Sequence, residues 1–186
     1  MTQKKITYIS ILRGINVSGQ KLIKMDALRT SYEKMGFEQV TTYVQSGNVI
    51  FKGNDTDVNA LEQKISQQVE EDFGYKVPVI VLSLSILKQI IDNNPFIKDL
   101  NKDQAFLYVT FLSSKPELYN IKLIEDKKQH EEEIRFSENA VYLYCPNGYG
   151  RTKLNNNFLE TKLKVGATTR NWKTTKALFN IAQQTI

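Results

Sequence analysis

The chain has 186 residues, 24% of them charged and 41% hydrophobic, which is globular composition and excludes a disordered or fibrous protein. A single cysteine, Cys145, and a single histidine, His130, exclude an intramolecular disulfide, a cysteine zinc cage and a multi-histidine metal site. The formal net charge of +5 permits a polyanionic partner without demanding one.

No apolar run approaches the roughly 18 residues a membrane helix needs. The start, Met1-Thr2-Gln3-Lys4-Lys5, lacks the apolar core and cleavage site of a signal peptide. A cytoplasmic protein with no membrane partner is expected. His130 lies in a run of charges and reads as a solvated surface residue, so a Ser-His-Asp triad has no base to rest on.

In chain order, Lys5 to Ile15 is β-branched and apolar and predicts a buried strand. Met25, Leu28, Tyr32 and Met35 follow at helical spacing, with Gly36 as the C-terminal stop. Val40 to Gln45 and Val49 to Phe51 read as a hairpin turning at Ser46-Gly47-Asn48. Val58, Leu61, Ile65, Val69 and Phe73 mark a second helix ended by Gly74. Val77 to Leu82 is a strand, and Ser85 reads as the cap of a short helix that stops before Pro95.

The second half repeats this order. Gln104 to Leu112 alternates as a strand. Leu118, Ile121, Leu123 and Ile124 predict a helix after Pro116. Ile134–Phe136 and Val141–Tyr144 form a hairpin. Lys153–Leu163 is a helix, Ala167–Trp172 a strand, and Thr174–Gln184 a final helix. The expectation is therefore an α+β protein with a duplicated ferredoxin-like fold, β-α-β-β-α-β-α twice, its two antiparallel sheets packed with helices. Residues 1–95 and 103–186 are the expected halves, packed together through a short joint at 96–102.

Three clusters carry polar residues at element ends. Arg13-Gly14-Ile15-Asn16 follows a strand and precedes a helix, where backbone donors can hold an anion, although neither a P-loop nor G-x-G-x-x-G is present. Gln45 and Asn48 bring amides to the hairpin turn. Arg151, Lys153, Arg170 and Asn171 lie at element ends in a region with few acids. If a pseudo-twofold axis relates the halves, the Arg13 and Arg170 clusters could converge. Trp172 reads as core, and Cys145 as a buried, inert thiol.

The segments Arg13-Gly14-Ile15-Asn16-Val17, Tyr43-Val44-Gln45-Ser46-Gly47-Asn48-Val49-Ile50-Phe51, Arg151-Thr152-Lys153-Leu154 and Thr168-Thr169-Arg170-Asn171-Trp172 together resemble the bacterial family of unknown function 1697 (DUF1697). Ser18-Gly19 departs from the family's usual Gly-Gly. The resemblance implies the duplicated α+β fold in a cytoplasmic protein and brings no activity, substrate or cofactor. No catalytic constellation or metal site stands out in the residues. The sequence thus points to a small anionic ligand, phosphorylated or nucleotide-like, held by Arg13, Asn16, Gln45, Asn48, Arg151, Lys153, Arg170 and Asn171. The alternatives are a nucleic-acid-binding protein and a non-catalytic structural or interaction protein.

Overall fold

The computed structural model describes residues 4–185; Met1–Gln3, read above against a signal peptide, and Ile186 lie outside the described residues. The chain divides into two compact units, Met1–Leu87 with Leu178–Ile186, and Lys88–Ala177.

The first unit contains β1 (Lys5–Leu12), α1 (Met25–Lys34), β2 (Glu38–Tyr43), β3 (Asn48–Asn54), α2 (Val58–Phe73), β4 (Val79–Ser83) and the first turn of α3 (Leu84–Asp92). Its antiparallel sheet has the order β2-β3-β1-β4, that of the ferredoxin-like fold. Successive strand side chains point to opposite faces, so Tyr8, Ser10 and Leu12 share one face with Phe51 and Val49, the β3 partners of Tyr8 and Ser10. The apolar stripes of α1 (Leu28, Tyr32) and α2 (Leu61, Ile65, Val69) join that face in one buried cluster. The Tyr32 hydroxyl would be orphaned there without Ser10 Oγ at 2.8 Å, and burial pushes its pKa up. The second face carries Ile9, Ile11, Ile50, Ile80 and Leu82, all buried as well.

Caps decide where the helices begin. Asp57 accepts the Ala60 N–H at 3.1 Å, and Gly74, at φ 75°, ends α2. α3 is capped by Ser83 rather than the expected Ser85. Ser83 Oγ accepts the Ile86 N–H at 3.3 Å, because the helix already opens at Leu84.

The second unit contains β5 (Leu107–Leu112), α4 (Ile121–Glu125), β6 (Glu133–Phe136), β7 (Ala140–Tyr144), α5 (Asn156–Leu163), β8 (Ala167–Asn171) and the start of α6 (Trp172–Gln184). Its sheet order, β6-β7-β5-β8, repeats the first, again all antiparallel. Leu112, Ile134, Val141 and Leu143 pack with Leu154, Leu159 and Leu163 as its core. Two expectations need correction. The strand expected from Gln104 begins at Leu107, because Asp103 accepts the Ala105 N–H and folds Gln104–Phe106 into a 3-10 turn. The helix after Pro116 is only five residues long, and of its expected core face only Ile124 is buried. Lys102 closes the segment leading into β5. Its ammonium binds Glu133 and Asp99 and lies 4.9 Å from the Tyr144 ring centroid.

The duplication reaches individual hydrogen bonds. Leu12 N–H donates to Gly47 O (2.8 Å) and Arg13 N–H to Pro78 O (2.9 Å) at the end of β1. Leu112 N–H donates to Asn139 O (3.1 Å) and Ser113 N–H to Gly166 O (2.9 Å) at the end of β5. Arg13 thus stands where the second unit has Ser113. The same registers pair Ile9 with Leu82 and Val109 with Arg170, so Arg170 stands where the first unit has a buried leucine.

Two outcomes follow from this packing. Gly47 has φ 78°, and a Cβ there would lie 2.6 Å from Ile15 Cδ1 and 2.9 Å from Leu12 Cβ. Gly47→Ala should destabilise the protein by about 2 kcal/mol or more in chemical denaturation. Glu62 accepts the Val81 N–H at 2.9 Å, and burial raises its pKa above 4.5. A carboxyl with a raised native pKa holds its proton more tightly folded than unfolded. Its contribution therefore declines as pH climbs from below 4.5 through the raised value. Glu62→Gln, which keeps an acceptor oxygen, should raise the melting temperature at neutral pH and flatten the decline in melts from about pH 4 to about 7.

Candidate functional site

The first cluster is built at one end of the first sheet, where β1 ends and β3 and β4 begin. Its centre is Asn16, at φ 54° in the loop between β1 and α1. The Asn16 Nδ2 donates to the carbonyls of Ile23 (2.9 Å) and Gln45 (2.8 Å), and its Oδ1 accepts the Ile23 N–H (2.8 Å). One carboxamide therefore closes its own loop and fastens it to the β2–β3 turn. Asparagine suits the position because it tolerates the left-handed region and because its amide mimics a peptide group.

Within this frame, φ is positive at Gly14, Asn16 and Ser18 but not at Ile15 or Val17 between them. The Asn16 N–H is spent within the loop on Lys21 O (3.2 Å), so an anion here would have to meet the N–H groups on either side of it. The loop adds Arg13, Lys21 and Lys24 and no acidic residue between 13 and 24. Arg13 is half-buried, and its backbone is anchored by Pro78 O. Lys21 Nζ donates to Lys76 O at 2.7 Å.

The structure brings Arg13, Asn16, Gln45 and Asn48 together at this end, but in different roles. Asn48 is fully buried, and its Nδ2 donates to Tyr43 O (3.0 Å) and Ser46 Oγ (3.0 Å), shaping the turn. Gln45 is exposed, and its carbonyl receives Asn16. The amides of Asn16 and Asn48 build the loops, and the half-buried Arg13 and the exposed Gln45 side chain lie beside them.

The second cluster lies at the end of the second sheet where β5 begins and β7 and β8 end. The Tyr149 hydroxyl lies 3.1 Å from Asn156 Oδ1 and 3.0 Å from Thr169 Oγ1, within hydrogen-bond distance of both, and so holds the 149–151 turn beside β8. Thr169 Oγ1 lies 2.7 Å from Thr110 Oγ1, and the Tyr108 and Tyr149 ring centroids are 5.2 Å apart. Arg151 and Lys153 are exposed; the Arg151 carbonyl accepts Gln129 Nε2 at 2.8 Å. Arg170 donates to Thr169 O at 2.9 Å. Burial pushes its pKa down to about 10, partly offset by Tyr149, so it stays cationic at neutral pH. Asn171 caps α6: its Oδ1 accepts the Thr174 N–H at 2.8 Å, and its carbonyl the Thr175 hydroxyl at 3.0 Å.

Sequence reading missed the Tyr149–Asn156–Thr169–Thr110 network. Its signals, a tyrosine beside Arg151 and an asparagine run at 155–157, are common in unremarkable turns. Trp172 is buried, His130 is exposed, and burial pushes the Cys145 thiol up to about 12. Among the described residues, no group of three His, Cys, Asp or Glu could hold a metal ion, and no helix is long and apolar enough to cross a membrane.

Comparison with known proteins gives a family and a fold. The model of a family described as protein of unknown function (DUF1697) matches residues 6–142, which include Arg13, Asn16, Gln45 and Asn48 and end before Arg151. A search of curated proteins found no match. Among solved structures, the chain is similar to a conserved bacterial protein from Streptococcus pneumoniae. The two are 22% identical with a TM-score of 0.71, over 96% of this chain and 99% of that chain. At that identity the likeness is one of fold.

The Asn16 bonds have a direct test. Asn16→Gly keeps the left-handed backbone accessible and removes three hydrogen bonds, so it should cost about 2 kcal/mol in denaturant unfolding. The raised Cys145 pKa implies negligible thiolate below about pH 10. In the native state a thiol-alkylating reagent should react with Cys145 only as fast as the protein opens, and guanidinium should release full reactivity.

Proposed function

Because the chain belongs to the DUF1697 family of proteins of unknown function, no activity comes with its fold, and we propose that it binds a small anionic ligand, phosphorylated or nucleotide-like, through the cations and backbone donors at its element ends. The observation that supports this most is the loop from Arg13 to Lys24. It combines three cations without an acid, alternating φ signs, and a frame held by the Asn16 carboxamide. At the end of β1 the loop carries a half-buried arginine where the duplicated unit carries serine.

In this reading Arg13 supplies a guanidinium fork for phosphate or carboxylate oxygens, and Gln45 adds an orienting amide. Asn16, Asn48 and Asn171 act by fixing backbone. Arg151, Lys153 and Arg170 give the second unit its own attraction for anions. The proposed setting is the cytoplasm, consistent with one buried cysteine that forms no disulfide. Nucleic-acid binding has less support. The second face of the first sheet carries the buried aliphatics Ile9, Ile11, Ile50, Ile80 and Leu82 on β1, β3 and β4, where a platform for stacking bases would need exposed aromatics.

A thermal-shift panel of inorganic phosphate, sugar phosphates and nucleotides tests the proposal. At least one member should raise the melting temperature in a saturable manner, since a ligand specific for the folded state stabilises it. Arg13→Ala should lose that rise while its unliganded melt remains cooperative. A shift that survives Arg13→Ala, or a panel without any shift, would contradict it and favour a structural or interaction role.

A further inference from the structure

Seven large hydrophobic side chains are strongly exposed among the described residues, and three of them frame the Arg13 loop: Val17 (56%), Leu22 (64%) and Val44 (46%). Their placement follows from the Asn16 bonds. Val17 follows Asn16 directly. Leu22 lies between Lys21, whose carbonyl accepts the Asn16 N–H at 3.2 Å, and Ile23, which exchanges two bonds with the Asn16 side chain. Val44 precedes Gln45, whose carbonyl receives Asn16 Nδ2. Each is thus within one residue of an atom bonded to, or belonging to, the same asparagine.

Val44 also has φ 50°, a region that β-branched residues rarely adopt, so this apolar side chain is held at the surface against its backbone preference. Isolated apolar residues at a surface are ordinary, whereas several gathered beside the cations Arg13, Lys21 and Lys24 make a surface of mixed character. Apolar side chains beside cations suit a ligand that carries both an apolar group and a negative charge.

We propose that the ligand of the Arg13 loop is an amphipathic small anion, an organic phosphate or carboxylate whose apolar chain or ring lies along Val17, Leu22 and Val44 while its charge meets Arg13 and the loop N–H groups. The proposal rests on the anion-binding reading above and specifies its substrate class. A fully hydrophilic phosphate would leave the three apolar side chains in water; an alkyl or aryl group covers them, and the cations discriminate against neutral hydrocarbons.

Titration calorimetry with inorganic phosphate and with methyl, butyl and hexyl phosphate tests it. Because the three side chains form an open surface, each added methylene should be about half covered and tighten binding about twofold, roughly eightfold from methyl to butyl phosphate. Leu22→Ser with Val44→Asn should flatten that dependence on chain length. Asparagine tolerates the backbone at position 44, so the unliganded melt of this double variant checks that it folds. Arg13→Ala should weaken every member by a similar factor and leave the increment per methylene intact. Equal affinities for methyl and butyl phosphate would overturn the amphipathic proposal and leave the anion site standing. No binding by any member would remove both. Binding to phosphatidate-containing vesicles without binding of soluble alkyl phosphates would overturn the proposal in favour of a membrane surface.

Discussion

The carboxamide of Asn16 determines the shape of one whole end of the first unit. With two donated hydrogen bonds and one accepted, it closes the loop after β1 and fixes that loop to the turn between β2 and β3. Gly47 permits the close approach, since its missing Cβ leaves room for Ile15 and Leu12, and its carbonyl accepts the Leu12 N–H. Without these contacts, Arg13 and the N–H groups after it would belong to a flexible connection, and the entropy of ordering them would oppose ligand binding. The frame removes that cost in advance.

Duplication gives this end its meaning. Both units close their first strand with the same pair of backbone hydrogen bonds, so the second unit shows what the architecture requires when no arginine is present. Ser113 fills the Arg13 position and hydrogen-bonds Gly166 through its side chain. Leu82 fills the position that Arg170 occupies in the other sheet. The architecture therefore accommodates either a cation or a small or apolar residue at these equivalent positions.

Much of the architecture was legible in the sequence because it rests on periodicity. The apolar, β-branched run of β1, the alternation in β5, the stripe from Leu61 to Val69 and the stop at Gly74 each reflect a local rule that packing reinforces. The reading failed where local rules are weak. Leu118, Ile121 and Leu123 have helical spacing, but the segment forms a single short helix and leaves all three exposed. Ser83 and Ser85 are both competent caps, and only the point where β4 ends selects between them. For the candidate site, the sequence located the residues but could not assign their roles. An asparagine that binds a ligand and one that binds the neighbouring loop look alike, because a side-chain amide satisfies either partner equally well. The exposed Val17, Leu22 and Val44 went unnoticed for a related reason: exposure of an apolar residue in a loop depends on a fold that spacing does not encode.

The central claim is that an anion is received by the backbone of the loop that Asn16 fixes. Amide chemical-shift mapping measures this directly, by titrating 15N-labelled protein with methyl phosphate. The account predicts saturable shifts that are largest at Gly14, Ser18 and Gly19, with the Asn16 side-chain amide unchanged in its hydrogen-bonded position. Shifts that scatter over exposed lysines and grow without saturation would contradict it.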